Sequence, residues 1–237
     1  MPPDPRRGRG CTLLDGRICI NARGINEDEN APTLITPYGV VLLNGRPSLS
    51  WSATATATSY SVQVKGTGVR WSVEVEGKTQ ISYPQDQPTM QPGNVYTVDI
   101  IANRGDEIIS ASSSIRLLVP VDKIQQVTST INFLKSLKQP PDELAIDMDA
   151  VYEGQSFSVH ESIEVLKARS KAGSQNPTIY RTLGDRYLIA NLAEPALQAY
   201  LKAIALAQKA NNANELAKAQ KGAKIAEQAI SGTLTNE

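Results

Sequence analysis

Two different periods of apolar and polar residues divide this chain. From Ile35 to Leu118 the runs are short and alternate. Pro47–Trp51 and Tyr60–Val64 alternate, and Val69, Trp71, Val73 and Val75 share one face after the turn Gly66-Thr67-Gly68. A turn at Gly77-Lys78 precedes Gln80–Tyr83, and Val95–Ile101 leads through Arg104-Gly105-Asp106 into Glu107–Leu118. With a first strand near Tyr38–Leu43, this period predicts about seven short strands, spaced as in an antiparallel β-sandwich. After Pro120 the period lengthens. Ile124, Val127, Ile131, Leu134 and Leu137 recur at helical spacing. Pro140-Pro141 ends that helix, and Asp142 is expected to cap the next, which runs to about Gly154. Ser158-Val159-His160-Glu161 fits a capping box that opens a helix ending at Gly173. Asn176-Pro177 and Glu194-Pro195 start two more, and 214–230 reads as a last helix rich in Ala and Lys. The expectation is a two-domain β + α protein: a flexible segment at 1–32, a sandwich at 33–119 and about six helices at 120–237.

The stretch Pro177–Ala210 is the most specific. Its first helix carries Tyr180, Leu183, Gly184 and Tyr187, and its second carries Ala196, Tyr200 and Ala203. That order and spacing closely resembles one tetratricopeptide repeat, in which large residues fill gaps left by small ones. The resemblance implies that Gly184 and Ala196 touch where the helices meet, with Tyr187 and Tyr200 beside them. It also implies a peptide or protein partner in a groove lined by first helices. By spacing from Tyr180, the groove positions are Thr178, Arg181, Asp185 and Leu188. Leu166 precedes Tyr200 by about one repeat length, so 142–172 resembles a degenerate repeat, with Ser162 in place of the small Ala. Gly222 would belong to a capping helix.

In the strand-rich half, Leu49 and Trp51 followed by Tyr60, Val62 and Val64 resemble the second and third strands of fibronectin type III domains. Met90-Gln91-Pro92-Gly93-Asn94-Val95-Tyr96 resembles that family's turn before the next strand, where the Tyr hydroxyl bonds back to the chain. A fibronectin-like domain followed by helical repeats is similar in order to exported cyanobacterial proteins. That likeness implies a periplasmic or other extracytoplasmic address.

Lys+Arg and Asp+Glu both total 24, so no net field draws the chain to nucleic acid or an anionic membrane. The acidic run Asp142, Glu143, Asp147, Asp149, Glu153, Glu161 and Glu164 reads as solvated helix faces, and Arg6, Arg7 and Arg9 as a solvated tail. Cys11 and Cys19 are either a small disulfide loop or a pair of free thiols. A metal site needs more ligands than this pair and the single His supply. No apolar run approaches a membrane span. Residues 1–10 lack a signal-peptide core, so the chain is either cytoplasmic or begins downstream of an absent signal. His160 is the one candidate general base and reads as an exposed helix residue; Asp147 and Asp149 fall on different helix faces. The expected function is therefore a non-enzymatic scaffold or interaction protein without a cofactor. The alternative is a cell-envelope carbohydrate-binding module that stacks sugars on Trp71 and Tyr60.

Overall fold

The structure, a computed structural model, describes residues 31–232. Its N-terminal part holds eight strands: β1 (Leu34–Thr36), β2 (Val41–Leu42), β3 (Leu49–Trp51), β4 (Ser59–Gly66), β5 (Val69–Glu76), β6 (Gln80–Ile81), β7 (Val95–Arg104) and β8 (Glu107–Leu118). One sheet has the order β1-β3-β6 and the other β2-β8-β7-β4-β5. All pairings are antiparallel except β2 with β8. The alternating apolar residues of β4, β5 and β7 bury Tyr60, Val62, Val64, Trp71, Val98 and Ile100 in one cluster with Leu49 and Trp51 of the smaller sheet. The Tyr96 hydroxyl accepts from Gln91 N–H at 2.7 Å and donates to the Thr67 carbonyl at 3.1 Å. That bond pins the turn before β7, as the sequence motif implied.

Two features of this half depart from the sequence pattern. Tyr38–Leu43 is not one strand: only Val41 and Leu42 pair, and Tyr38 leaves the sheets to pack among the helices. In β8 the inward row is polar. Ser110, Ser112, Ser114 and Arg116 are buried, while Ile108 and Ile115 face outward. Ala31 and Pro32 are themselves buried, and the Ser112 hydroxyl donates to the Pro32 carbonyl. A hydroxyl row facing backbone carbonyls is satisfied where an apolar row would strand those carbonyls.

The C-terminal part holds six α-helices among the described residues: α1 (Val121–Ser136), α2 (Pro141–Val151), α3 (Val159–Lys171), α4 (Pro177–Ile189), α5 (Ala193–Lys209) and α6 (Ala213–Ser231). A π-turn, Tyr152–Ser156, joins α2 to α3. The Asn176 side chain caps α4 by accepting from Thr178 N–H at 3.0 Å, with Pro177 at the first helical position. Asn191 and Asn211 take positive φ after α4 and α5, where Asn tolerates the left-handed region better than most residues. Two capping expectations fail. Asp142 lies inside α2, whose cap is Pro140, and its carboxylate instead accepts from Arg169 Nε at 2.8 Å and Ser174 Oγ at 2.8 Å. Ser158 does begin α3, but its side chain accepts no backbone N–H there.

The helices close around Tyr200. Its ring lies between Gly184 of α4 and Gly222 of α6, and a Cβ added at Gly184 would come within 2.7 Å of the ring. Ala196, a turn earlier on α5, is fully buried. Exposed helical Gly→Ala changes usually stabilise by about 1 kcal/mol. Here the sign reverses: Gly184→Ala and Gly222→Ala are each expected to cost about 1–3 kcal/mol through overpacking, read as a lowered urea midpoint. A raised midpoint in either would mean that the ring does not fill that gap. Ser162 gives the opposite case, because its hydroxyl is buried without a hydrogen-bond partner among the described residues. Ser162→Ala is expected to stabilise by about 1 kcal/mol in the same assay, and a loss of similar size would show that the hydroxyl is bonded.

Candidate functional site

Two polar assemblies stand out. One lies on α4 and contains all four positions expected to line a groove. Thr178, Arg181, Asp185 and Leu188 fall along one stripe of that helix, and each is partly buried. Arg181 Nε donates to Glu215 Oε2 of α6 at 2.7 Å, and its Nη1 donates to Asp185. Asp185 Oδ1 accepts from the Tyr200 hydroxyl of α5 at 2.7 Å. Lys218 Nζ reaches Glu215 Oε1 at 3.2 Å, and Asn212 holds the Glu215 amide. Three helices thus meet in one hydrogen-bonded network. Burial raises the Asp185 carboxyl against the pull of Tyr200 and Arg181. Burial also opposes ionisation of Glu215, yet Arg181 and Lys218 outweigh it and hold that carboxyl below its ordinary value. The Arg181–Asp185 pair was legible as an i,i+4 contact. Glu215, an isolated acid among lysines in the sequence, was not.

The second assembly joins the two halves of the chain. Tyr38 sits 5.6 Å from the His160 ring and 6.2 Å, edge-on, from Tyr187, measured between centroids. Lys167 Nζ donates to its hydroxyl at 3.2 Å. His160 Nδ1 accepts from Tyr38 N–H at 3.4 Å, and Glu161 Oε1 accepts from Leu43 N–H at 3.1 Å. Ser158 Oγ lies against both the Val41 carbonyl, at 3.3 Å, and Glu161 Oε2. The sole His is therefore not an exposed helix residue, and its δ-nitrogen is engaged by the backbone. Above this junction Arg116 is buried, donating to the Ile115 and Pro37 carbonyls at 2.7 and 3.2 Å. No carboxylate pairs with it among the described residues, and burial lowers its guanidinium to about 10.

No family model matches the chain, and no curated protein does. Among solved structures, the chain is similar to the solution structure of the fn3 domain of human collagen alpha-1(XX) chain. The identity is 22% and the TM-score 0.29, over 41% of this chain and 94% of that one. That is a weak fibronectin type III neighbour.

Other sequence candidates are placed as follows. Trp71 and Tyr60 are buried in the sheet core, with Trp71 Nε1 donating to the Tyr83 hydroxyl at 3.0 Å and Tyr60 accepting from Thr54 N–H at 2.8 Å. Neither offers a stacking face. Asp147 is exposed and accepts from Gln139, whereas Asp149 is buried and takes two bonds from Arg186 of α4, each 2.8 Å. Asp142, Asp149 and Glu161 therefore bind partners within the fold and are not solvated faces. Cys11, Cys19, Arg6, Arg7 and Arg9 lie outside the described residues. No helix among those described is long and apolar enough to cross a membrane, and no group of His, Cys, Asp and Glu there is arranged to hold a metal.

The junction titrates in a useful range. Burial raises the Glu161 carboxyl to about 7, against backbone donors that favour its charge. Ser158 has one hydroxyl proton for two acceptor contacts; a protonated Glu161 supplies the second, donating to Ser158 while Ser158 donates to Val41. A carboxyl raised in the folded state stabilises most at low pH, and that contribution is lost between the ordinary value near 4.5 and about 7. His160 acts oppositely: burial lowers it, so its contribution is present above its ordinary 6.5 and is lost as pH falls from there through its lowered folded value. Glu164, Lys167, Arg116 and Tyr152 complete the charged surroundings. Comparing the parent with Glu161→Gln isolates the carboxyl. The parent is expected to lose roughly 2–3 kcal/mol more than the variant between pH 5 and pH 8 in urea unfolding, and parallel profiles would refute the assignment.

Proposed function

We propose that this chain is a non-enzymatic interaction protein that holds an extended peptide segment of a partner against α4 and α6. In this reading the two sheets are an antiparallel sandwich of the fibronectin type III kind. The pairs α2–α3 and α4–α5 are tetratricopeptide-like hairpins, with α6 as their cap. The reciprocal fit of Tyr200 with Gly184 supports the second assignment, and the Tyr96 bond with a core shared by both sheets supports the first. An extracytoplasmic address rests on the sequence resemblance alone and stays within the proposal.

The observation that carries the binding role is the state of Arg181. Two carboxylates from two helices fix its guanidinium through Nε and Nη1, while Nη2 makes no hydrogen bond among the described residues, and the side chain is 19% exposed. A donor held in place and left partly open is preorganised for an acceptor. Asp185 and Glu215 already balance the charge, so an acidic ligand gains little here. A neutral peptide carbonyl suits the site better, with an apolar side chain beside Leu188. The buried positions of Trp71 and Tyr60 leave the carbohydrate reading without a stacking surface.

The test is selection of peptides from a display library on the immobilised full-length chain, followed by affinity measurement on variants. Arg181→Ala and Thr178→Glu are expected to weaken a selected peptide by tenfold or more, about 1.4 kcal/mol, while Lys209→Ala on α5 leaves it unchanged. Thr178→Glu separates binding from stability, because an acid in the first helical turn favours the helix. If no peptide is selected, or all three variants bind like the parent, the reading fails.

A further inference from the structure

The last strand of the larger sheet has an unused edge. β5 pairs with β4 from Val69 to Glu76 without a register shift, and no strand among the described residues lies on its other side. The two-residue turn Thr67-Gly68 makes Gly66 and Val69 the closing hydrogen-bonded pair. Alternation then aims the peptide groups of Val69, Trp71, Val73 and Val75 at β4. Those of Arg70, Ser72, Glu74 and Glu76 point to the open edge. Edge strands are commonly blunted by Pro or a bulge, and β5 has neither. Glu74, Val75 and Glu76 of this strand also line an open groove with Gln80 and Ile81 of β6.

The charges of β5 complement a reversed copy of itself. Arg70, Ser72, Glu74 and Glu76 are all exposed on the outer face. An antiparallel partner must match open-edge residues with open-edge residues, which restricts the register. With Val73 opposite Val73, Arg70 faces Glu76 and Ser72 faces Glu74 on both sides of a two-fold axis. Glu74 keeps its bonds from Ser59, Ser61 and Asn103 in that arrangement. We propose that β5 is a self-association surface through which two copies of this chain join edge to edge into one continuous sheet. Two Arg70–Glu76 pairs set the register, and the two Val73 side chains meet on the axis. The contact is isologous, so it closes as a dimer and does not propagate. It concerns the opposite half of the chain from the peptide-binding reading and stands independently of it.

The experiment is sedimentation velocity on the full chain over a concentration series, with circular dichroism to confirm folding. The parent is expected to dimerise. Arg70→Glu or Glu76→Arg places like charges opposite each other at both ends of the pairing, which is expected to weaken the dimer by about tenfold or more. Combining the two reverses both signs and is expected to restore parental association. If a single variant folds poorly, salt gives a separate readout, since the parent dimer is expected to weaken as these exposed pairs are screened. A parent that remains monomeric at its highest soluble concentration overturns the proposal. So does a combined variant no better than the single ones, or a parent dimer indifferent to salt.

Discussion

The helical half depends on the ring of Tyr200 having no Cβ on either side of it. An aromatic ring buries a large apolar area, but only when two helices approach closely enough to enclose it. Gly184 and Gly222 permit that approach on α4 and α6, and Tyr200 on α5 fills the space between them. Each glycine weakens its own helix by about 1 kcal/mol relative to Ala, and the enclosed ring must offset both. The hydroxyl on the same ring then meets Asp185, which orients Arg181, which reaches Glu215. Packing of one side chain therefore fixes the geometry of the polar face above it. Arg181 sits at a definite place because Tyr200 does.

Charge inside this fold divides sharply by burial. Arg104 and Glu107 form an exposed pair worth little, since water and salt screen both partners. Arg186 and Asp149 are the opposite case, with side chains 8% and 5% exposed and two parallel hydrogen bonds between them. Removing one partner of such a pair typically costs about 3–5 kcal/mol, because a charge is left buried and unpaired. Asp149 and Glu153 thus tie the α2 end of the helices to α4, and Asp142 with Arg169 ties α2 to α3. Three members of the acidic run, Asp142, Asp149 and Glu153, are one side of an internal set of pairs. Their partners lie roughly thirty residues downstream, beyond the reach of any helix-periodicity argument.

That distance explains what was legible in the sequence. Period two and period 3.6 separated the strands from the helices, while the Tyr96 turn and the place of Gly184 at a helix contact beside Tyr200 were implied by the family resemblances. Every failure involves a partner far along the chain. Ser158 and Glu161 have the spacing of a capping box, but the carboxylate is taken by Leu43 and the hydroxyl by Val41. Tyr38 alternates with its neighbours like a strand residue, yet the helical core offers it His160, Tyr187 and Lys167. In β8 the buried row is polar, and backbone carbonyls far along the chain satisfy it, as the Pro32 carbonyl does for Ser112. For the α4 face, spacing placed the four residues on one stripe but gave no sign of Glu215.

Besides the packing of Tyr38, the two halves are joined by polar contacts that demand complementary protonation, and these differ in kind from the separate cores. An apolar contact between sheets and helices would tolerate small shifts, since its energy follows buried area. The contacts of Glu161, His160 and Ser158 with the backbone of 38–43 do not, because each requires a donor to meet an acceptor at bonding distance. His160 must be neutral at Nδ1 to accept from Tyr38, and Ser158 needs a proton from Glu161 to serve both neighbours. Above them Arg116 places a buried positive charge on the same segment, donating to carbonyls. The segment is thus fixed by directional bonds at four side chains. Its register on α3 is specified even though little of it belongs to a regular strand.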